Sequence, residues 1–155
     1  MRSNPLFYMG PHQETSDDYY TPKYIFDLMG IEFDVDVAAP EGGVPWIPAR
    51  RFYTMGDDGL SQPWEGRIWM NPPYSKPGPW VHRFIDVASE GVILVPVSNS
   101  RWFDRLWESD LSIVSLNCGT RFVRGDETAH ISYRTILCAR GEECVEAISR
   151  IGRVR

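Results

Sequence analysis

The apolar positions of this chain change period several times, and each change marks an element. Ile25, Leu28 and Met29 recur at helical spacing between Thr21-Pro22 and Gly30. Thr21 reads as the N-cap, Pro22 as the first helical residue and Gly30 as the stop. Phe33 to Val37 alternates apolar and acidic residues, the period of a strand. Residues 38–56 are rich in Pro and Gly without a period and read as loop, with at most a short turn of helix. Ile68 to Met70 is a second strand. Trp80 to Glu90 is a helix with Val81, Phe84, Ile85 and Ala88 on one face, ended by Gly91. Val92 to Val97 is continuously apolar, as in a strand buried on both faces. Ser100 opens a helix carrying Trp102, Phe103, Leu106 and Trp107, and Leu111 to Leu116 is a strand. Phe122-Val123 and Ile131 to Ala139 read as two more strands, joined across Arg124-Gly125-Asp126-Glu127. Glu142 to Ile151 closes the pattern as a helix with Val145, Ile148 and Ile151 inward.

Strands alternating with helices predict an α/β sandwich with a mostly parallel sheet. The last two strands are too close for a crossover helix and are expected to form an antiparallel hairpin. Residues 1–19 are polar with scattered aromatics, Phe7, Tyr8 and Tyr19, and predict a partly mobile arm. Residues 20–155 form one domain in this reading, since 155 residues support one ordinary core.

Composition narrows the class. With 43% hydrophobic and 24% charged residues, the expectation is a soluble globular protein. No run reaches the length of a membrane-spanning helix, and the N-terminus lacks a secretory pattern. Three cysteines without ligand spacing (Cys118, Cys138, Cys144) read as reduced thiols of a cytoplasmic protein. The histidines His12, His82 and His130 are scattered, so no metal site is expected. A net charge of −5 argues against an electrostatic DNA clamp, but its distribution is uneven. Residues 1–66 carry a balance of −7 and residues 67–155 one of +2. Arginine supplies 14 of the 16 basic residues, and its planar fork suits phosphate and guanine edges.

The chemistry is concentrated in Asn71-Pro72-Pro73-Tyr74, directly after the second strand. An exocyclic or amide nitrogen is a poor nucleophile because its lone pair is delocalised. Acceptors that hold its hydrogens draw it towards tetrahedral geometry. The Asn71 oxygen is one acceptor and the Pro72 carbonyl a second, on a loop that two prolines stiffen. Tyr74 offers a flat face to a planar base. Acceptors aimed at developing positive charge are electrostatic preorganisation. A plain Pro-rich turn has the same composition, but a loop at the carboxyl end of a strand in an α/β sheet is where ligands bind.

Methylation of such a nitrogen needs S-adenosylmethionine. Asp36, at the end of the first strand, can hold a ribose hydroxyl or an ammonium group, or simply cap a turn. The small Ala38 after it lets a ligand approach the backbone. Asp57-Asp58-Gly59-Leu60 offers a carboxylate to an adenine amino group, or is an Asp-Gly turn. Tyr20, Thr21 and Pro22 open a helix whose N-terminus attracts a carboxylate, or is only well capped. Trp46, Arg50 and Arg51 combine an aromatic with paired arginines and can contact DNA; equally they are a solvated loop with one buried tryptophan.

In order and spacing, these pieces resemble the phage-encoded DNA N6-adenine methyltransferases, the small Dam-like enzymes of phages and prophages. The likeness rests on Tyr20-Thr21-Pro22, Phe33 to Ala39, Asp57 to Leu60, Trp64, Trp69 to Ser75 and Trp80, and is good over residues 17–100. It implies a reduced Rossmann-like methyltransferase fold and S-adenosylmethionine as donor. It implies catalysis by Asn71, Pro72, Pro73 and Tyr74, with Asp36, Asp58 and Tyr20 to Pro22 around the cofactor. The target adenine would be flipped from double-stranded DNA. The resemblance also implies action in a host bacterial cytoplasm, and a role in restriction-modification as protection of phage DNA.

The chain departs from broader methyltransferases in lacking a Gly-rich turn after the first strand, where it has Val37-Ala38-Ala39-Pro40. The interval from Asp36 to Asp58 is short, so the pocket is reduced or is completed by a second subunit in a homo-oligomer. No insert is large enough for a target-recognition domain. Three other readings stay open: cytosine N4 methylation, methylation of a glutamine amide, and a degenerate fold that binds nucleic acid or another phage protein.

Overall fold

The computed structural model describes residues 20–116 and 134–155, together with the strand backbones of residues 121–124 and 127–130. The predicted arm, residues 1–19, and Cys118 lie outside the described residues. In chain order the elements are α1 (Lys23–Met29), β1 (Phe33–Asp36), β2 (Ala49–Phe52), β3 (Arg67–Met70), α2 (Gly78–Val87), β4 (Glu90–Pro96), α3 (Arg101–Trp107), β5 (Ser112–Ser115), β6 (Arg121–Arg124), β7 (Glu127–His130), β8 (Thr135–Arg140) and α4 (Glu142–Ser149).

Six strands form one sheet in the order β2-β1-β3-β4-β8-β5. β1 pairs in parallel with β2 on one side and β3 on the other, and β3 pairs in parallel with β4. β8 is antiparallel to both β4 and β5, so β5 runs the same way as β4. This is the α/β architecture with a mostly parallel sheet that the periodicity predicts. The chain leaves β1 to one side for β2, then crosses to the other for β3. That reversal opens a crevice at the carboxyl ends of β1 and β3, the switch point of a doubly wound sheet.

The sheet is buried on both faces. On one, α1 and α4 bring Ile25, Phe26, Met29, Ala147 and Ile148 against Phe33, Trp69, Leu94 and Leu137. On the other, α2 and α3 bring Val81, Phe84, Trp102 and Leu106 against Ile68, Met70, Ile93 and Val95. Phe26 meets the Trp69 ring edge-on at 4.7 Å between centroids, which anchors α1 over the strand that leads into Asn71.

Several expectations are corrected. Pro22, not Thr21, is the N-cap of α1; Thr21 lies one residue before it and is buried. Phe26 takes the inward place expected of Leu28, which is 47% exposed. Residues 38–56 are not all loop: β2 runs through them, followed by a 3-10 turn at Met55–Asp57. β2 has no apolar alternation because it is an edge strand with three exposed residues. Helix α2 spans Gly78–Val87, two residues earlier than predicted at its start, and Glu90 already belongs to β4. The inward residues of α4 are Cys144, Ala147 and Ile148, with Val145 and Ile151 only partly covered.

The C-terminal pairing also differs. A hairpin exists, but it joins β6 to β7, with Arg121 opposite His130. The strand expected at Ile131 to Ala139 instead contributes β8 to the main sheet, where it separates β4 from β5; residues 131–133 lie outside the described residues. Thr135 to Ala139 are all buried, so this segment requires cover on both faces that a two-stranded hairpin lacks.

Candidate active site

Asn71 begins the loop after β3, at the switch-point crevice. Its side-chain nitrogen donates a hydrogen bond to the Thr21 hydroxyl at 3.3 Å. Thr21 is 1% exposed and Asn71 half-buried, so the bond is partly buried at the edge of the core. It commits the amide nitrogen to the protein and turns the Oδ1 end away from Thr21. The indole nitrogen of Trp46 donates to the Thr21 backbone carbonyl at 2.8 Å. One residue thus links the loop after β3, the entry to α1 and the loop after β1. Pro22 is buried beside it and Tyr20 is half-buried. The structure therefore brings together two groups that the sequence could only name separately, the predicted catalytic Asn71 and the predicted cofactor residue Thr21.

Pro72 is buried and Pro73 half-buried. Tyr74 is half-buried too, packed against the core cluster on the α1 and α4 face of the sheet.

Asp36 ends β1 on the neighbouring strand and is 3% exposed. Burial pushes its carboxyl up to about 7, against the lowering effect of the Ala38 amide, which donates to Oδ1 at 3.2 Å. Because the Ala38 N–H turns back in this way, it is taken by Asp36 rather than offered to a ligand. No ion pair among the described residues includes Asp36. The carboxyl lines a cavity of about 190 Å³ with Gly42, Gly43, Ile47 and Phe52. Whole small-molecule pockets run to roughly 300–1,000 Å³. This cavity suits one part of a nucleoside-sized ligand. A buried carboxyl with one backbone donor has capacity left for a hydroxyl or a cation, so the residues present fit S-adenosylmethionine.

The Asp57-Asp58 pair divides its work. Asp57 accepts from the Thr54 amide at 2.9 Å and caps a 3-10 turn. Asp58 has left-handed backbone at φ 56 and accepts from the Ser61 hydroxyl at 2.6 Å. Gly59 fixes where this segment sits, because a Cβ there would run into the Val37 carbonyl oxygen just past β1. The Trp64 indole clamps the same glycine by donating to its carbonyl at 2.9 Å. Trp80 stacks on Trp64 at 6.1 Å and 22°, and the Arg83 guanidinium lies 5.0 Å from the Trp64 ring centroid. Sequence reasoning places both tryptophans in the family likeness but misses this brace, since no local pattern joins residues that far apart. Gly59→Ala is expected to force the Asp58 turn off β1. We expect destabilisation of about 1–3 kcal/mol by overpacking, read as a lower denaturant midpoint, with weaker cofactor affinity by calorimetry.

The predicted DNA-contacting trio does not form one surface. Trp46 is partly buried against the α1-side core. Arg50 and Arg51 are neighbours on β2 and so point to opposite faces of the sheet, and Arg50 lies 3.9 Å from the Asp34 carboxylate. Burial pushes the Cys144 thiol up to about 11 and the Cys138 thiol higher still, so neither is a thiolate at neutral pH. Among the described residues no cluster of His, Cys, Asp or Glu could hold a metal ion, and no helix is long and apolar enough to cross a membrane.

Comparison with known proteins places this chain in a family. The chain is 33% identical over 126 residues to a DNA N-6-adenine-methyltransferase of Haemophilus phage HP1, covering 72% of this chain and 71% of that protein. Among solved structures it is similar to a protein-(glutamine-N5) methyltransferase of Alicyclobacillus acidocaldarius, at 16% identity and a TM-score of 0.38, over 77% of this chain and 88% of that one. The model of the DNA N-6-adenine-methyltransferase (Dam) family matches residues 11–134. The chain, with Asn71 to Tyr74 at the switch point of its sheet, belongs to the Dam family of DNA N-6-adenine-methyltransferases.

Proposed function

We propose that the crevice between β1 and β3 binds S-adenosylmethionine and that Asn71 presents an adenine N6, flipped from duplex DNA, for methylation. The observation that carries this reading is the partly buried hydrogen bond from Asn71 to Thr21. It holds the amide so that its oxygen serves as an acceptor. Asn71 Oδ1 and the Pro72 carbonyl then take hydrogen bonds from the two amino hydrogens. The nitrogen lone pair is released from the ring and can act as a nucleophile. When bound, S-adenosylmethionine supplies an electrophilic methyl group on a sulfonium sulfur. The two acceptors stabilise the positive charge that grows on N6, and one of its protons departs afterwards to water. Neither buried thiol is needed as a nucleophile, in keeping with direct displacement. Asp36 supports the cofactor by accepting from a ribose hydroxyl or facing a cationic group. Tyr74, braced by the core, packs against the flipped base.

The test is mass spectrometry of nucleosides from unmethylated duplex DNA incubated with the protein and S-adenosylmethionine. N6-methyladenine is the expected product. N4-methylcytosine instead would keep the acceptor chemistry and overturn the substrate. No methylated base from a folded, cofactor-binding protein would overturn the catalytic roles given to Asn71 to Tyr74.

A further inference from the structure

A cavity of about 730 Å³ lies apart from the crevice at β1 and β3. It lies at the other end of the same edge of the sheet. Its polar rim includes Ser98 and Asn99, just beyond the carboxyl end of β4, and Ser115, the last residue of β5. Because β3, β4 and β5 run in one direction, these residues and Asn71 open on the same side. Three strand spacings separate β3 from β5, about 14 Å, or roughly four nucleotide steps along one DNA strand.

The lining combines an aromatic wall with basic residues. Trp107 is 58% exposed and stacks on Phe103 at 6.0 Å and 24°. Ile113 and Ile136 form the floor, and Arg153 and Arg155 are exposed at the rim. Four arginines elsewhere are paired with carboxylates: Arg67 with Glu90 and Glu143, Arg105 with Asp86, Arg140 with Asp110, Arg150 with Glu146. Among the described residues, no carboxylate side chain pairs with Arg153 or Arg155. Two acids, Asp104 and Glu108, also line the groove, and a third arginine, Arg134, which bonds the Ser115 hydroxyl and the Leu116 carbonyl, brings its basic side chains to three against two acidic ones. Unneutralised arginines beside an exposed aromatic platform are the chemistry that holds a nucleic-acid strand.

We propose that this α3–β5 groove, with Trp107, Arg153 and Arg155, is the surface that grips the DNA flanking the target base. The proposal rests on the DNA-methylating reading above but concerns a different set of residues. It replaces the Trp46, Arg50 and Arg51 surface as the main DNA contact. The two arginines take phosphates, and Trp107 packs on sugar and base.

Fluorescence anisotropy with a labelled unmethylated duplex tests this without depending on turnover. Relative to wild type, R153E/R155E is expected to raise the Kd at least about tenfold and to lower the salt slope by about 2, one for each phosphate no longer neutralised. W107A, which leaves charge unchanged, is expected to raise the Kd about fivefold or more. Both variants should bind S-adenosylmethionine as wild type does in calorimetry, which shows that they fold. The competing surface is tested by R50E/R51E. An unchanged Kd and slope in R153E/R155E, or a loss confined to R50E/R51E, would overturn the groove. Wild type that binds duplex through the groove yet makes no N6-methyladenine would uphold the proposal and sink only the catalytic reading.

Discussion

Asn71→Ala is expected to lower kcat for N6-adenine methylation by about 10²–10³-fold, the cost of one preorganised group that meets charge only in the transition state. Cofactor affinity should change little, because the Asn71 side chain meets the base in this mechanism. Thr21→Val removes the hydroxyl that accepts from Asn71 at 3.3 Å while keeping the side chain's volume. The amide then loses its fixed orientation, and kcat should fall about tenfold, in line with loss of one hydrogen bond of about 1–1.5 kcal/mol. Thr21→Ser should restore most of it. Steady-state kinetics with calorimetry separates the roles. If Thr21→Val raises KM for S-adenosylmethionine and spares kcat, Thr21 serves the cofactor and does not position Asn71.

Asp36→Asn is expected to separate stability from function. The folded carboxyl titrates at about 7, against 3.8 for an ordinary aspartate. The native state therefore keeps its proton to higher pH than the unfolded chain. The contribution to stability is whole below about pH 4 and is lost as pH rises through 7. Across that window the loss is on the order of 4 kcal/mol. Asparagine fills the same space and cannot ionise. The variant should match wild type near pH 4 and unfold several degrees higher at pH 8, as thermal scans would show. In exchange it should bind S-adenosylmethionine at least about tenfold more weakly, since a carboxylate facing a cationic ligand is worth a kcal/mol or more. Binding to wild type should release a proton below pH 7 and tighten as pH rises from 6 to 8. Calorimetry in buffers of different ionisation enthalpy measures both. Equal affinity in the two proteins would assign Asp36 to the fold alone.

Where the apolar pattern is dense, local reading and structure agree. β1, β3, β4, α3 and α4 stand within two residues of their predicted bounds, because their apolar periods record which faces are buried. β2 is illegible for the opposite reason: Ala49-Arg50-Arg51-Phe52 is an exposed edge that pairs through its backbone and leaves no apolar signature. β8 is legible as a strand but not in its partner, since a sequence favours neighbours in the chain. The apolar run from Ile136 to Ala139 is satisfied only between β4 and β5, where both of its faces are covered.

The same division runs through the site. Asn71-Pro72-Pro73-Tyr74 announces its chemistry locally, because acceptor, stiff loop and aromatic are consecutive. Family membership is legible for the same reason, through ordered short motifs. Only the tertiary structure could bond Asn71 to Thr21, fifty residues away, and seat Gly59 against Val37 beneath the Trp64–Trp80 stack. It alone could raise the Asp36 pKa, since desolvation depends on what packs around a carboxyl rather than on its neighbours in the chain. It also parted Trp46, Arg50 and Arg51, close in sequence, and gathered Trp107, Arg153 and Arg155, distant in sequence, at one groove. Sequence by itself determined the elements with a dense apolar pattern and the family, both of which depend on short motifs of residues within a few positions of one another. The folded chain decided which charges are buried, which are neutralised and which stay exposed, because those depend on distances that only packing sets.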